Sequence, residues 1–367
     1  MTIEIRELQK IHYPHWDDYV NRHGDGTIYH LATWKDVIQK TYGHRTFYLM
    51  AWDTATNHVK GVLPLIHLKH IIFGNNLISI PFFDLGGVIA DNTEAKGLLI
   101  DKAIELGQQL RARTIELRQS IPPRCLDEQK ITARRLSHET KKQDVSETIR
   151  DHKHRMMLQL PESSEALMQS FKSKLRSQIK KPIKEGLTWK VGGIGLIEDF
   201  YKVFSVNMRD LGSPVHSKKL MKNVLEQFPG KAHLFIVYLT EKPVACSLII
   251  GYRDILENPW ASSLREYGRL SPNMLLYWAM LAYACENRYK WFDFGRSSPE
   301  DGTYKFKTQW GAKPYPLHWH YIWLKGRPEN EEPSEKSKFE KAIQYWRKLP
   351  VPVTKIIGPA IRKHIGL

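Results

Sequence analysis

The feature that most constrains this chain is an order of signals that occurs twice. Phe47 to Trp52 reads as a strand, Asp53 to Asn57 as a turn and Val59 to Leu65 as a second strand; Leu234 to Leu239, Thr240 to Lys242 and Val244 to Ile250 repeat that order. Both are hairpin patterns, β-favouring runs joined through short polar turns. A helix and one more strand follow each hairpin. In the first copy these are Thr93 to Leu110 and Thr114 to Arg118; in the second a helix begins after Ser271, has Pro272 in its first turn, continues through Met274 to Ala284 and leads to Trp291 to Phe294. Proline loses no donor at a helix start, and the serine before it can accept an orphan backbone hydrogen bond. Both final strands run into an arginine and a serine, Arg118 with Ser120 and Arg296 with Ser297. Corresponding parts stand about 180 residues apart, which predicts two copies of one hairpin-helix-strand α/β unit.

The 367 residues exceed what one hydrophobic core usually organises, so two domains are also expected from length. The divisions drawn from the pattern are residues 1–145, a helical basic connection at 146–190, a second domain at 191–325 and a basic tail at 326–367. Within the connection, Phe171, Leu175 and Ile179 recur every fourth residue, while Lys172, Arg176 and Lys180 form a second row, with Lys181 beside it. One helix can therefore pack and present positive charge together. This row is a candidate anion contact, with RNA as one candidate ligand and a merely solvated helix face as the simpler alternative. Gly186 ends the helix. Gly192, Gly193 and Gly195 fall in a turn before a helix at Ile197 to Asp210, without the strand-to-helix spacing of a dinucleotide site. A strand at Leu317 to Leu324, a surface linker at Arg327 to Lys338 and a short helix around Phe339 to Lys348 complete the reading.

Several chemistries lack their signatures. There is no Walker phosphate loop, no serine flanked by glycines on a nucleophile elbow and no HExxH. Cys125, Cys246 and Cys285 are odd in number and far apart, which fits neither a disulfide framework nor a zinc site. The pairs His12 with His15, His152 with His154 and His318 with His320 supply too few ligands, so no metal is expected. The first eight residues are too polar for a signal peptide, and no apolar run approaches a membrane span. A cytoplasmic location is the expectation. The formal charge of +16 suits a polyanionic or phosphorylated partner. From Trp346 to Leu367, Arg347, Lys348, Lys355, Arg362 and Lys363 are mixed with apolar residues, which suits either local packing or contact with a membrane surface.

The densest chemically suggestive run is Trp291 to Gly311, WFDFGRSSPEDGTYKFKTQWG. It begins as a buried strand and then gathers Asp293, Arg296, Ser297, Ser298, Tyr304, Lys305, Lys307, Gln309 and Trp310. Strand ends feeding glycine-containing loops are frequent ligand sites. The structural alternative pairs Asp293 with Arg296 and places Tyr304 and Trp310 at the core edge.

Several stretches in one order resemble the FemAB-like acyltransferases, in particular the branch associated with exopolysaccharide and PEP-CTERM sorting systems. They include Tyr42 to His44, Gly61 to Leu65, Phe73-Gly74, Ser79 to Phe82, Lys174 to Arg176, Lys184 to Leu187, Asn207 to Pro214, Ser271 to Trp278, Phe292 to Ser297 and Phe306 to Gly311. The resemblance implies an α/β fold of tandem duplicated GNAT-like domains with mixed central sheets. It also implies acyl or aminoacyl transfer to an amine, or a hydroxyl, of a cell-envelope or exopolysaccharide precursor. Aminoacyl-tRNA is the donor in the founding members of that family, and acyl-CoA is the alternative; no tightly bound cofactor is implied. The family's phenylalanine-lysine pair maps onto Phe306 and Lys307, making Lys307 the candidate for stabilising the charged acyl-transfer centre, with Asp293 as candidate for assisting proton removal. Arg209, Arg296, Ser297, Tyr304, Phe306 and Trp310 are candidate acceptor contacts, in a cleft expected between domains. Arg265, Arg269 and Asn273, at the start of the second helix, are candidate donor contacts. Two departures are evident: the extended coiled-coil arm of the family is absent, and so are the closely spaced glycines that cradle coenzyme A phosphates in ordinary GNAT proteins. The competing function is a catalytically inactive glycan- or precursor-binding envelope-assembly protein built on the same scaffold.

Overall fold

The computed structural model describes residues 3–120, 145–325 and 335–366. Cys125 and most of the linker expected from Arg327 to Lys338 lie outside the described residues. The chain divides into two units, Met1–His154 with Tyr315–Glu329 and His364–Leu367, and Arg155–Pro314 with Asn330–Lys363.

In the first unit, β1 (Ile3–Glu7), α1 (Tyr13–Arg22), α2 (Thr33–Tyr42), β2 (Arg45–Asp53), β3 (His58–His70), β4 (Gly74–Ile78), β5 (Ile89–Ala90), α3 (Thr93–Gln109), β6 (Thr114–Ser120) and β7 (Ser146–Arg150) follow one another. The sheet order is β1-β2-β3-β4-β6, and a late strand, β14 (Lys313–Trp323), pairs antiparallel with both β6 and β7. The second unit repeats the plan: β8 (His154–Gln159), α4 (Ser164–Ser170), α5 (Ser173–Lys184), β9 (Leu187–Gly192), α6 (Ile197–Leu211), α7 (Lys218–Gln227), β10 (Ala232–Leu239), β11 (Lys242–Tyr252), β12 (Ile255–Ser263), α8 (Pro272–Glu286), β13 (Trp291–Ser297) and α9 (Gly302–Gln309), followed later by α10 (Glu335–Lys348) and α11 (Val351–Arg362). Its sheet runs β8-β13-β12-β11-β10-β9.

The duplication read from the sequence is thus a duplication of sheet order. β2-β3-β4-β6 corresponds to β10-β11-β12-β13, and in each copy the last two strands are parallel in an otherwise largely antiparallel sheet. Parallel neighbours need a long crossover connection, usually a helix, and α3 and α8 supply it. Their buried faces close the two cores, Leu99, Ile100, Ala103 and Ile104 in the first and Leu275, Leu276, Ala279 and Met280 in the second.

Three segments are placed differently from the expectation. The segment at 146–190 contains the expected helices but opens with two strands, β7 and β8. The strand at Leu317–Trp323, assigned by chain order to the domain at 191–325, hydrogen-bonds to Thr114–Ser120 and so belongs to the first unit. Backbone pairing, rather than proximity in sequence, decides its place. The stretch from Arg296 to Trp310, expected as a loop, contains α9, because Phe306 and Trp310 stand one turn apart and pack on the same aromatic cluster.

The end of the second unit is held by a buried histidine. Tyr201 Oη donates to the His216 carbonyl at 2.9 Å, and Arg362 Nε meets His216 Nε2 at 3.1 Å, so the imidazole acts there as a neutral acceptor. Burial, aided by the Arg362 charge, holds the His216 pKa well below its ordinary 6.5. The unfolded chain then binds that proton before the folded one does. The stability from neutral His216 is fully present above the unfolded pKa and is lost as pH falls below it. Urea unfolding of His216→Asn, compared with wild type between pH 7 and pH 5, should show a smaller acid-induced loss of stability in the variant; equal losses would remove His216 as the sensitive group.

Candidate functional site

The second unit contains a fork between its two parallel strands. β12 and β13 pair over only three registers, Ile255↔Trp291, Leu256↔Phe292 and Glu257↔Asp293. Beyond them β12 continues along β11 as far as Ser263↔Ala245, while β13 turns at Gly295, whose φ of 75° lies in the left-handed region. The backbone groups at this turn are taken up by side chains. Asp293 Oδ1 accepts from the Gly295 N–H at 2.7 Å, and Lys307 Nζ donates to the carbonyls of Gly295 at 3.1 Å and Arg296 at 2.7 Å. Two residues singled out in the sequence thus both bind the backbone of this turn. Lys307 is 7% exposed, in the last turn of α9.

Asp293 Oδ2 accepts from Arg155 Nε at 2.5 Å, and Arg155 Nη2 reaches Glu257 Oε1 at 3.4 Å. Asp293 thus pairs with Arg155, 138 residues away, and both its oxygens are engaged. All three charged groups are buried. Buried charges persist when paired and hydrogen-bonded, and this cluster sits directly under the fork.

On the opposite face of the fork lies an aromatic cluster. Tyr277 stacks on Phe294 at 5.4 Å and meets Phe306 edge-on at 4.9 Å. Trp310 is 1% exposed and packs edge-on against Phe171 at 5.6 Å, so its ring is committed to the core instead of being open to a sugar. Tyr304 is half-buried at the margin of the same core. Ser297 Oγ donates to Thr303 Oγ1 at 3.2 Å, closing the loop between β13 and α9. Asn258, the first β12 residue past the fork, accepts from Ser247 Oγ at 2.7 Å through Oδ1. Burial pushes the neighbouring Tyr277 phenol up to about 12, with the Asn258 amide opposing that rise.

The remaining candidates are distributed around this unit. Arg265 and Arg269 are exposed on a 3-10 turn at Arg265–Leu270, and Asn273 is exposed in the first turn of α8. Ser271 does not cap α8 with its side chain: the tight 3-10 turn delivers it in a left-handed conformation, φ 56°, and its carbonyl accepts from Met274 instead. Lys172, Lys180 and Lys181 are exposed and Arg176 half-buried along α5, whose opposite face buries Leu175 and Ile179. Arg209 lies in the last turn of α6, pairs with Asp210 at 2.6 Å and donates to the Leu349 carbonyl at 3.3 Å. Arg296 lies at the fork itself. Among the described residues no group of His, Cys, Asp and Glu could hold a metal ion. On β14, His320 Nδ1 lies 3.0 Å from Glu147.

The sequence reading missed Arg155, Glu257, Asn258 and Tyr277. The one local signal for this region was Asn258-Pro259 inside a strand-like run, which marks a bulge; the β11–β12 register does shift between Leu248 and Ile250.

A family model described as an acetyltransferase (GNAT) domain matches residues 169–308, a span that contains the fork, α8 and Lys307. Among solved structures the chain is similar to FemX, at TM-score 0.63 and 15% identity, over 86% of this chain and 96% of that one. It is also similar to L-PGS from Bacillus licheniformis, at TM-score 0.53 and 13% identity, over 88% and 90%. A tandem GNAT protein from the clavulanic acid biosynthesis pathway matches at TM-score 0.51 and 10% identity, over 89% and 100%. No curated protein matches the sequence. The fold these likenesses define is α/β, of the tandem GNAT kind with mixed sheets.

Proposed function

We propose that the chain is an acyltransferase that moves an acyl or aminoacyl group onto an amino or hydroxyl group of a cell-envelope or exopolysaccharide-related acceptor, on the cytoplasmic side of the membrane. The observation that carries this reading is the fork in the unit matched by the GNAT model, with the buried Lys307 ammonium fastened to its turning strand.

An acyl group inserted between parting strands meets fixed backbone and side-chain dipoles that need no reorganisation as charge develops on its carbonyl oxygen. The acceptor nitrogen attacks in its neutral form, the C–N bond forms as the donor C–S or C–O bond breaks, and the amine proton leaves with the departing group. Lys307 supplies positive charge beside the centre. Asp293, with both oxygens engaged, serves the reaction by fixing the Gly295 turn. The exposed Arg265, Arg269 and Asn273 around the start of α8 suit the phosphates of an acyl-CoA, and the basic row on α5 suits those of an aminoacyl-tRNA. Arg296 and Tyr304 are assigned to the acceptor, with Phe306 and Ser297 holding them in place. A similar structure described as the C-terminal domain of a putative lysylphosphatidylglycerol synthetase supports an envelope-related acceptor.

Incubating the protein with extracted envelope precursors and either acyl-CoA thioesters or charged tRNAs should yield a mass-shifted acceptor with one donor class. Saturable precursor binding without product from any donor would overturn the enzyme reading and favour a binding protein on the same scaffold. Charge-neutralising Lys172, Lys180 and Lys181 separates the donors: tRNA-dependent transfer should fall and lose part of its salt dependence, whereas CoA-dependent transfer should not change.

A further inference from the structure

We infer that α11 docks the protein on an anionic lipid surface. This helix packs the wrong way round for a helix that serves only its own core. Its inward residues are the small Thr354 and Gly358, and Gly358 lies so close to Val215 that an added Cβ would sit 3.1 Å from the Val215 side chain. Val353, Ile356, Ile357 and Ala360, spaced i, i+3, i+4 and i+7, form the outward stripe, with Ile356 78% exposed. An amphipathic helix ordinarily buries its large apolar residues and exposes its small and polar ones. Arg362, on His216, and Thr354 fix the rotation, so the stripe cannot turn inward without breaking those contacts.

The charge around the stripe selects the occupant. Lys355 on α11, whose ammonium lies 5.5 Å from the Tyr201 ring, and Arg347, which donates to the Leu211 carbonyl, are exposed together with Lys348 at the end of α10, and α11 contains no acidic residue. An exposed apolar stripe on a helix that carries basic and no acidic residues, preceded by a basic helix end, fits the boundary between acyl chains and anionic headgroups, each basic group adding to the attraction within a Debye length. Among the described residues no helix is long and apolar enough to cross a membrane, so the contact is interfacial. The docking is independent of the transfer reaction and stands without it.

Flotation of the full chain with phosphatidylcholine vesicles, with and without phosphatidylglycerol, tests the inference. Wild type should float with the anionic vesicles and less with the neutral ones. Ile356→Asp with Ile357→Asp should lower the bound fraction about tenfold or more, since two apolar side chains leave the interface and two like charges enter it. Lys348→Gln with Lys355→Gln should weaken binding selectively on anionic vesicles. Ile11→Asp, at an isoleucine that is equally exposed, should bind as wild type does. Thermal unfolding of each variant shows that it is folded. No flotation of wild type, unchanged flotation of the double isoleucine variant, or loss only on changing Ile71 and Ile72 in the β3–β4 turn would each overturn the inference. Vesicle-free self-association that the isoleucine variant abolishes would assign the stripe to a second copy of the chain instead.

Discussion

Lys307→Met is expected to lower the rate of single-turnover transfer by about 10²–10³, or about 2.7–4 kcal/mol, while leaving the protein folded. Methionine keeps the length and apolar contacts of the lysine stem and removes the ammonium. Two effects then add. The positive charge beside the developing oxyanion is lost, and the carbonyls of Gly295 and Arg296, which Lys307 holds at 3.1 and 2.7 Å, lose their donor just where β13 turns away from β12. The measurement is transfer at saturating donor and acceptor, with circular dichroism and urea unfolding on the same preparations. Near-wild-type transfer by a folded variant would reject the catalytic assignment. A defect confined to a raised acceptor KM would reassign the ammonium to anchoring. Lys307→Arg separates charge from geometry: a guanidinium keeps the charge but directs its donors in a planar fork, so a folded Lys307→Arg protein that transfers no faster than Lys307→Met would show that the position of the ammonium matters as well as its sign.

Much of the fold was legible because its signals are local. The hairpins Phe47–Leu65 and Leu234–Ile250 and the helices around Thr93 and Met274 announce themselves through alternation, turn residues and periodicity, and their repetition revealed the tandem architecture. β14 was legible as a strand but not as a member of the first unit, since nothing in Leu317–Leu324 states which strand it will bond. β8 was hidden because Met156-Met157-Leu158 is a short apolar run with no alternation, equally compatible with a helix.

The candidate site divides along the same line. Asp293 and Lys307 could be singled out because both fall in one dense run, and the structure brings them to adjacent backbone groups of the Gly295–Arg296 turn. Their partners could not, because Arg155 is 138 residues from Asp293 and 102 from Glu257, and an arginine in a basic chain carries no mark of burial. Trp310 stood among the candidate acceptor contacts; its contact with Phe171, far from it in sequence, is what places it in the core.

The largest stability effect is expected at Arg155. Its guanidinium, 4% exposed, is the shared partner of two buried carboxylates, Asp293 and Glu257. Arg155→Met retains much of the side-chain volume but leaves two negative charges buried without that partner, and breaking such a pair from one side costs about 3–5 kcal/mol. Mutual repulsion of the carboxylates adds to the penalty, and relaxation at Asp293 would release the Gly295 N–H and let the fork close. The urea midpoint should therefore fall sharply, and transfer should fall with it even where the variant remains folded. Neutralising the stranded charges discriminates this electrostatic account from a simple packing defect. Arg155→Met combined with Asp293→Asn and Glu257→Gln should recover most of the lost stability, because the amides nearly match the carboxylates in shape and the amide oxygen introduced by Asp293→Asn can still accept from the Gly295 N–H. A combined variant no more stable than Arg155→Met alone would mean that the guanidinium acts through its packing. A cost below about 1 kcal/mol for Arg155→Met would show that the three groups are far better solvated than their burial indicates.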